Sequence, residues 1–362
     1  MKRRRRDLLL GATAAVAAAG GLPSPAIARG IKELKLVTSY PRNLPESGTS
    51  PERLAQSISA MSDGHLKVTV YPDGSLVRAF EVFDAVATGA ADLYFTDEVY
   101  FQDKSPALNF FAAVPYGLTA DELCSWILFG GGQALWDEVD AQFNIKPLMA
   151  SNTGVQMGGW FNKEVNSPED FKGLRYRMPE LGAEVLRRMG ATVVTIPAGE
   201  IVGALKSGAL DASEFVGPWT DIWLGLDKVA DYYYYPGFHE PGFNAALGIN
   251  KKLWDGLAPS ERAIIETAAQ AEVTRSLAEA NVENVKWLKV LRADQRIKIR
   301  RFSDELIKTF GKLSKEVLAD TAAKDPLTRK VYDSYMTFLA GMMDWTELSE
   351  RGYLDTRRLA LG

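Results

Sequence analysis

Two stretches of the chain, 119 residues apart, carry the same twelve-residue pattern. EVFDAVATGAAD covers residues 81–92 and EIVGALKSGALD covers residues 200–211, and Glu, Ala, Gly, Ala and Asp coincide at matching positions. Each copy follows a strand pattern and a short turn and leads into a new strand pattern. Gly89 and Gly208 fall where a helix C-cap is expected, so we interpret both glycines as structural. Two amphipathic helices can look alike by chance, but a strand–helix–strand unit used once in each of two lobes accounts for the whole match.

Strand and helix patterns also alternate outside the repeat. LKLVTSY (34–40) and HLKVTVYP (65–72) are typical of strands, and similar alternation runs from 147 to 236. Such βαβα order predicts α/β domains with largely parallel sheets, and 362 residues are enough for two of them. We predict a first lobe over 29–150, completed by part of 237–290, and a second lobe over 151–236.

The remaining chain is typical of helices. From Pro259 a helical pattern runs for more than 25 residues, with Ser260 as the expected N-cap, and further helical patterns cover 303–322 and 327–343. We therefore predict C-terminal helices over 291–362. One of these helices carries a stripe of apolar residues. Such a stripe is either part of the core or, where it is exposed, a surface for a partner, and we predict that this one supports a homodimer. The stripe consists of Tyr332, Tyr335, Met336, Leu339, Met342 and Met343.

The N-terminus has the three parts of an export signal. A basic run over residues 2–6 precedes an apolar stretch over 8–22, and Ala-Ile-Ala at 26–28 forms an A-x-A cleavage site. RRDLL at 5–9 resembles a twin-arginine signal. The short apolar core and two following prolines disfavour a membrane anchor. The sequence predicts a signal peptide over 1–28 and a periplasmic protein.

Charge and motifs exclude several function classes. Removal of residues 1–28 leaves 37 basic against 45 acidic residues, a net charge of −8, so no nucleic-acid-binding footprint is present. The single cysteine, Cys124, permits no internal disulfide. No HExxH, GxSxG, CxxC or P-loop motif occurs, and the only histidines are His65 and His239. We therefore expect a binding protein and not an enzyme.

Residues 152–244 contain the groups best suited to bind a ligand. Arg175 and Arg177 alternate on a strand, so one can be a surface charge while the other enters a cleft and binds a carboxylate with its planar fork. Glu214 follows the second repeat copy at a strand end, where α/β proteins place ligand groups. The segment DYYYYPGFHEPGFN (231–244) is expected to form an aromatic wall.

These segments resemble a known family. SNTGVQMGGWFNKEV, GLRYRMPELGAEVLRRMG, GALDASEFVGPWTD and DYYYYPGFHEPG are similar to the solute receptors of tripartite ATP-independent periplasmic (TRAP) transporters, and most similar to the branch that binds 2-oxo acids or lactate with a metal cation. The resemblance covers about residues 34–345. It implies a periplasmic-binding-protein-like fold, with two α/β lobes around a cleft, hinge strands between them and one long helix spanning both. It also implies delivery of a small organic acid to TRAP membrane subunits.

The resemblance assigns roles to particular residues. Arg177 matches the arginine that clamps the substrate carboxylate, while Gln156, Glu214 and the backbone carbonyl of Phe215 match ligands of a sodium or calcium ion. Phe215 replaces the Trp of the relatives, and TDEVYFQDKSP (96–106) departs from the family pattern, which leaves the ligand's identity open. The other matching pocket positions are Tyr100, Asn152 and Glu240.

Electrostatics agrees with these roles. Glu214 would repel a ligand carboxylate in a dry cleft, and a hard cation with oxygen ligands removes that conflict. Arg177 neutralises the remaining negative charge, and a 2-oxo or 2-hydroxy acid can chelate the cation through two oxygens. Two alternatives stay open: a hydrolase that uses Glu214 and Glu240 as an acid–base pair, and a sensor that presents its ligand to a membrane kinase.

Overall fold

The computed structural model describes residues 30–362, so the predicted signal peptide lies outside the described residues. Within 30–362, no helix is both long and apolar enough to cross a membrane. The strands of this part are β1 (Lys32–Thr38), β2 (Leu66–Tyr71), β3 (Leu93–Thr96), β4 (Ile145–Asn152), β5 (Gly159–Phe161), β6 (Arg175–Arg177), β7 (Thr192–Val194), β8 (Ala212–Ser213), β9 (Tyr232–Tyr235), β10 (Asn244–Asn250) and β11 (Lys298–Arg301).

Helices cover most of the connections and most of the chain after Pro259. A π-helical turn, Glu347–Arg351, joins the last two. The α-helices are α1 (Ser50–Met61), α2 (Val82–Thr88), α3 (Asn109–Ala112), α4 (Ala120–Phe129), α5 (Gly132–Asp140), α6 (Glu180–Arg188), α7 (Ile201–Lys206), α8 (Pro218–Leu224), α9 (Lys251–Gly256), α10 (Pro259–Ala293), α11 (Asp304–Ala322), α12 (Pro326–Thr346) and α13 (Gly352–Leu361).

The strands form two sheets with matching order, one in each of two lobes. The first sheet runs β2-β1-β3-β10-β4 and the second runs β7-β6-β8-β5-β9-β11. In both, three parallel strands are followed by an antiparallel one, which is β10 in the first sheet and β5 in the second. The predicted two-lobed α/β fold is confirmed, although the sheets are more mixed than the sequence suggested.

The repeated sequence pattern occupies equivalent places in the two sheets. Helix α2 crosses from β2 to β3, and α7 crosses from β7 to β8. Gly89 and Gly208 end these helices at φ of 82° and 75°, the left-handed region that favours glycine. The structural interpretation of both glycines is therefore confirmed.

Two chain segments and one helix connect the lobes. Residues 153–158 lead from β4 to β5, and residues 236–243 lead from β9 to β10; we call them the crossing segments. Helix α10 has 35 residues, a length of about 50 Å, and packs against β4 and α1 of the first lobe and α8 of the second. Its N-cap is Ala258 and not Ser260 as predicted, because Pro259 takes the first helical position, where an N–H is not needed.

The C-terminal region departs from the prediction in two ways. Lys298–Arg301, within the stretch predicted as helical, forms β11 and pairs in parallel with β9. The apolar stripe of α12 is mostly core. Tyr335 and Leu339 are buried, Tyr332, Met336 and Met342 pack against the same core, and Met343 is exposed. The Tyr335 hydroxyl accepts a hydrogen bond from the backbone N–H of Leu118 at 2.7 Å. Tyr335 and Leu339 cannot form a dimer surface. Helix α11 packs on α6 of the second lobe, and α12 packs on α4 and α5 of the first.

The loop between β1 and α1 buries an acidic side chain. Glu46 is 2% exposed, and within the described chain neither carboxyl oxygen has a hydrogen-bond partner. The pKa of Glu46 is raised to about 8, chiefly by burial and also by the Asp221 and Glu279 carboxylates, against the opposing effect of Arg53. The folded protein therefore keeps Glu46 protonated well above the pH at which the unfolded chain ionises it.

This raised pKa predicts a pH-dependent loss of stability. Below the unfolded pKa of 4.5 Glu46 is protonated in both states, and between that value and about 8 only the unfolded state releases the proton. The free energy of unfolding should therefore fall as the pH rises through this range, by roughly 3–5 kcal/mol in total. In urea denaturation, Glu46→Gln should stabilise the protein more at pH 8 than at pH 5. The control Glu305→Gln, at an exposed residue of α11, should show no such difference; equal effects of Glu46→Gln at both pH values would contradict the prediction.

Candidate functional site

The two crossing segments lie side by side at the boundary between the lobes. The backbone N–H of Gln156 donates to the Glu240 carbonyl at 3.2 Å, and the N–H of Gly237 donates to the Gln156 carbonyl at 2.9 Å. A Cβ at Gly237 would lie 2.7 Å from the Gln156 carbonyl oxygen, so glycine permits this close approach. The pairing holds the side chains of both segments at one place between the sheets.

A small polar cavity, almost filled by its own lining side chains, lies at this place. Five of the predicted site residues line it, namely Tyr100, Gln156, Arg177, Phe215 and Glu240. The first lobe, the second lobe and the crossing segments all contribute to its wall. The other lining residues are Tyr40, Ser47, Asp97, Pro179, Val216 and Phe243.

Arg177 is the buried cation of the cavity. It ends β6 with 1% exposure, whereas Arg175, two residues earlier, is half exposed and pairs with Asp211 on the outside. The strand alternation expected for the two arginines is thus observed. The Arg177 guanidinium donates to the Glu214 carboxylate and to the Tyr100 hydroxyl, the latter at 3.3 Å, so it links both lobes.

Glu214 directly follows β8 and is completely buried. One carboxylate oxygen accepts from Arg177, and the other lies 3.0 Å from Nε2 of His239 on the second crossing segment. Ligand atoms of Glu214, His239 and Glu240 lie within 4.8 Å of one another, a group that could hold a metal ion. Glu214 therefore stands between the arginine and a possible cation site.

Buried carboxyl groups are concentrated around this point. Burial raises the pKa of Glu240 well above its ordinary value, and the Glu214 and Asp97 carboxylates raise it further, while Arg177 and a hydrogen bond from Gln156 oppose the shift. A positive charge placed near Glu240 would favour its ionised form.

The donor set fits a hard cation. Oδ and Oε atoms and backbone carbonyls are the ligands that sodium and calcium prefer. The Gln156 amide nitrogen donates to the Thr153 hydroxyl at 3.3 Å, which leaves its Oε1 buried and without a hydrogen-bond partner in residues 30–362. An acceptor oxygen beside a buried carboxylate is suited to coordinate a metal ion.

Two of the predicted site residues do not line the cavity: Glu214, which is paired with Arg177, and Asn152. Asn152 Oδ1 accepts from the N–H of Gly154 at 2.8 Å, and the Asn152 backbone N–H donates to the Ser276 hydroxyl of α10 at 2.9 Å. Asn152 thus joins the end of β4 to the long helix, where it supports the first crossing segment.

The predicted aromatic wall is wrong for the tyrosines of β9. Tyr233 and Tyr234 are core residues: Tyr233 stacks on Trp160 with ring centres 4.1 Å apart, and the Tyr234 hydroxyl accepts from the backbone N–H of Val165. From the end of the same sequence segment, His239, Glu240 and Phe243 do reach the site, so one aromatic residue of the predicted wall is correct. The other aromatic side chains of the wall are Tyr40, Tyr100 and Phe215.

Sequence reasoning missed Tyr40, Asp97 and His239. Tyr40 and Asp97 follow β1 and β3 at their carboxyl ends, as Arg177 and Glu214 stand at the carboxyl ends of β6 and β8. The rule that identified Glu214 applies to Tyr40 and Asp97 as well. His239 carried only the weak signal of a polar residue between two prolines.

Two α/β lobes that close over a buried polar cavity define a two-lobed solute-binding protein. The chain belongs to the bacterial extracellular solute-binding protein family 7, the solute receptors of TRAP transporters, whose sequence profile matches residues 37–325. The predicted family is thus confirmed. Because the family consists of binding receptors, the hydrolase alternative is set aside, and the expectation that the chain is not an enzyme is confirmed.

Individual relatives support this assignment. The monocarboxylate 2-oxoacid-binding periplasmic protein of Nostoc is 37% identical over 321 residues, 88% of this chain and 87% of the relative. A Bordetella bronchiseptica TRAP solute-binding protein, solved as a mixed-occupancy dimer with copurified calcium and picolinate, is 30% identical at a TM-score of 0.89, covering 92% and 98% of the two chains. A Pseudoalteromonas atlantica receptor with bound sodium and pyruvate is 33% identical at a TM-score of 0.87, covering 90% and 99%.

The buried pair predicts a large stability difference between two neighbouring arginines. Arg177→Ala leaves the Glu214 carboxylate buried without its guanidinium partner and should lower the free energy of unfolding by about 3–5 kcal/mol. Arg175→Ala removes a half-exposed pair with Asp211 and should cost about 1 kcal/mol or less. Urea denaturation of the ligand-free proteins measures both. Equal costs for the two variants would show that the Arg177–Glu214 pair is not buried as described.

Proposed function

We propose that this protein is the periplasmic receptor of a TRAP transporter and that it binds a small monocarboxylic 2-oxo or 2-hydroxy acid together with a metal cation. The observation that carries the proposal is the cavity between the lobes, where Arg177 lies against Glu214 and two further carboxyl groups. The family assignment and the ligands named for the relatives support the same conclusion. The receptor would deliver its acid to the membrane subunits of the transporter.

Charge balance supports the cation. Arg177 and Glu214 neutralise each other at the site, and burial raises the pKa values of Asp97 and Glu240 well above their ordinary values. A ligand carboxylate would therefore add an unbalanced negative charge in a region that excludes water. A sodium or calcium ion held by Gln156, Glu214 and the Phe215 carbonyl would offset that charge and polarise the ligand oxygens bound to it.

The arrangement supports a specific role for each remaining group. Arg177 binds the ligand carboxylate, and Tyr100, which already contacts the guanidinium, holds it in that orientation. Glu240 forms part of the wall on the second crossing segment. The small size of this cavity favours a small acid over a sugar acid or a long chain.

The cation hypothesis predicts cooperative binding. After exhaustive chelation and exchange into sodium-free buffer, pyruvate or lactate should bind at least tenfold more weakly, and calcium or sodium should restore the affinity. Each partner should raise the other's affinity by the same factor, because binding free energies are linked. Isothermal titration with and without each ion measures this and identifies the ion.

Two variants test whether Glu214 takes part in cation-dependent binding. Glu214→Gln keeps the shape but removes the charge and should weaken both the acid and the cation, whereas Glu305→Gln, at an exposed position, should leave both unchanged. Undiminished binding without any added cation, together with normal binding by Glu214→Gln, would refute the metal site.

The end of the chain supports a proposed homodimer. No residue from 340 to 362 of the described chain is buried, yet this helical segment carries large apolar side chains. Trp345 is 63% exposed and Leu348 80% exposed. Large apolar side chains that the chain does not cover itself are suited to contact a second copy of the same chain. The proposed surface consists of Met343, Trp345, Leu348, Tyr353, Leu354, Leu359 and Leu361.

Truncation tests the dimer directly. Removal of residues 347–362 should halve the mass measured by light scattering without changing ligand affinity, because the cavity lies elsewhere. Leu348→Glu should act in the same direction, and the matched change Glu350→Gln should not. A full-length protein that is monomeric at tens of micromolar would contradict the proposal.

A further inference from the structure

The loop between β1 and α1 carries Glu46 to the boundary between the lobes. Its neighbour Ser47 lines the cavity together with Phe215 and Val216 of the second lobe. The Glu46 backbone carbonyl accepts a hydrogen bond from the N–H of Ser50 at 2.8 Å, which ties the loop to the first turn of α1. Glu46 has a φ of 63°, a left-handed conformation that residues other than glycine rarely adopt, so the surrounding packing must hold it there.

The basic side chain that faces Glu46 is already paired with other carboxylates. It belongs to Arg53 of α1, whose Nε donates to Glu272 at 2.9 Å and whose Nη1 donates to Glu279 at 2.8 Å, both on α10. Both carboxyl oxygens of Glu46 remain buried without a hydrogen-bond partner in the described part of the chain. The Glu279 carboxylate also disfavours a negative charge on Glu46, so the first lobe and α10 leave this carboxyl uncompensated.

Asp221 is the acidic group that the second lobe brings towards Glu46. It is buried on α8, and its carboxyl oxygens accept hydrogen bonds from the Val216 N–H at 3.0 Å, the Trp160 indole at 3.0 Å and the Tyr233 hydroxyl at 2.7 Å. Burial raises the pKa of Asp221 to about 6, and the three donors oppose this shift, so Asp221 is ionised at pH 7. Tyr233 also faces Glu46, and burial raises its pKa, which keeps it neutral.

We propose that closure of the two lobes takes up a proton at Glu46, so that the receptor binds its acid more tightly at pH 7 than at pH 8. The inference rests on the proposed function and describes how that site is regulated. Closure brings the loop of Glu46 towards the ionised Asp221, whereas opening moves the second lobe away and admits water to the carboxyl group. Arg53 and its α10 partners stay together in both states, because α1 packs on α10.

The expected pH dependence follows from the two protonation states. The pKa of Glu46 is raised to about 8 in the closed protein, and in the open protein water lowers it towards its ordinary value. Between these two values closure takes up a proton, so the affinity for the acid falls as the pH rises. Above the higher value Glu46 is ionised in both states and the dependence ends. Uptake of about half a proton or more lowers the affinity at least about threefold between pH 7 and pH 8.

Isothermal titration measures this proton directly. Pyruvate is titrated into the chain 29–362 in saturating calcium, and again in saturating sodium, in PIPES and in Tris, whose ionisation enthalpies differ. The difference between the enthalpies measured in the two buffers gives the number of protons taken up. At about pH 7.5 the wild type should take up at least about half a proton more than Glu46→Gln, whose amide keeps the shape and cannot ionise. Its affinity relative to that of the variant should fall at least about threefold from pH 7 to pH 8.

A control variant and a second measurement isolate Glu46 from the other carboxyl groups of the site. Glu305→Gln, at an exposed position, should take up as many protons as the wild type. In NMR of protein with ¹³C-labelled glutamate, the Glu46 carboxyl should titrate at a higher pH with pyruvate and cation than without them, which requires no variant.

The outcomes separate this inference from the proposed function. Equal proton uptake by the wild type and Glu46→Gln, or a Glu46 pKa that pyruvate does not raise, would overturn the proton-linked closure while the receptor function stands. If pyruvate binds with neither cation present, the proposed function itself fails and this inference fails with it.

Discussion

The ion pair between Arg177 and Glu214 is the constraint on which the site depends. Both side chains are almost completely removed from water, and neither could remain charged there alone. The pairing of β6 with β8 places Arg177 opposite Ser213, so Glu214, the next residue, meets the guanidinium. Tyr100 then reaches the same guanidinium from the other lobe. The register of β6 and β8 thus places the two charged groups next to each other, and the closed lobes exclude water from them.

Carboxyl ends of parallel strands organise the rest of the cavity. The two lobes use the same strand order, and their parallel strands end towards the shared boundary with Tyr40, Asp97, Arg177 and Glu214. The crossing segments add Gln156, His239 and Glu240 between them. Two copies of one strand–helix–strand unit therefore supply opposite sides of the site. The first lobe contributes Tyr40 and Asp97, and the second contributes the Arg177–Glu214 pair.

Much of this arrangement could be predicted, because its causes are local. The twelve-residue repeat indicated two equivalent lobes, and strand alternation separated Arg177 from Arg175. What could not be predicted depends on which strands become neighbours. Tyr233 and Tyr234 look like ligand contacts in sequence but lie in β9, which β5 and β11 flank on both sides. The strand β11 itself, KIRR, lies largely exposed and has no apolar alternation to reveal it. The place of Asp97 in the site could not be predicted for the same reason, because the end of β3 faces Arg177 only after the two sheets have packed together.

The C-terminal helices also bear on how far the lobes can separate. Helix α11 lies on the second lobe, where Arg188 of α6 pairs with its Asp320, and α12 lies on the first. Only residues 323–325 connect these two helices. The pair α11 and α12 is thus a fourth connection between the lobes, in addition to the two crossing segments and α10. Release of a ligand must therefore proceed by a limited rotation of one lobe against the other. During this rotation the C-terminal helices bend at the three residues between α11 and α12.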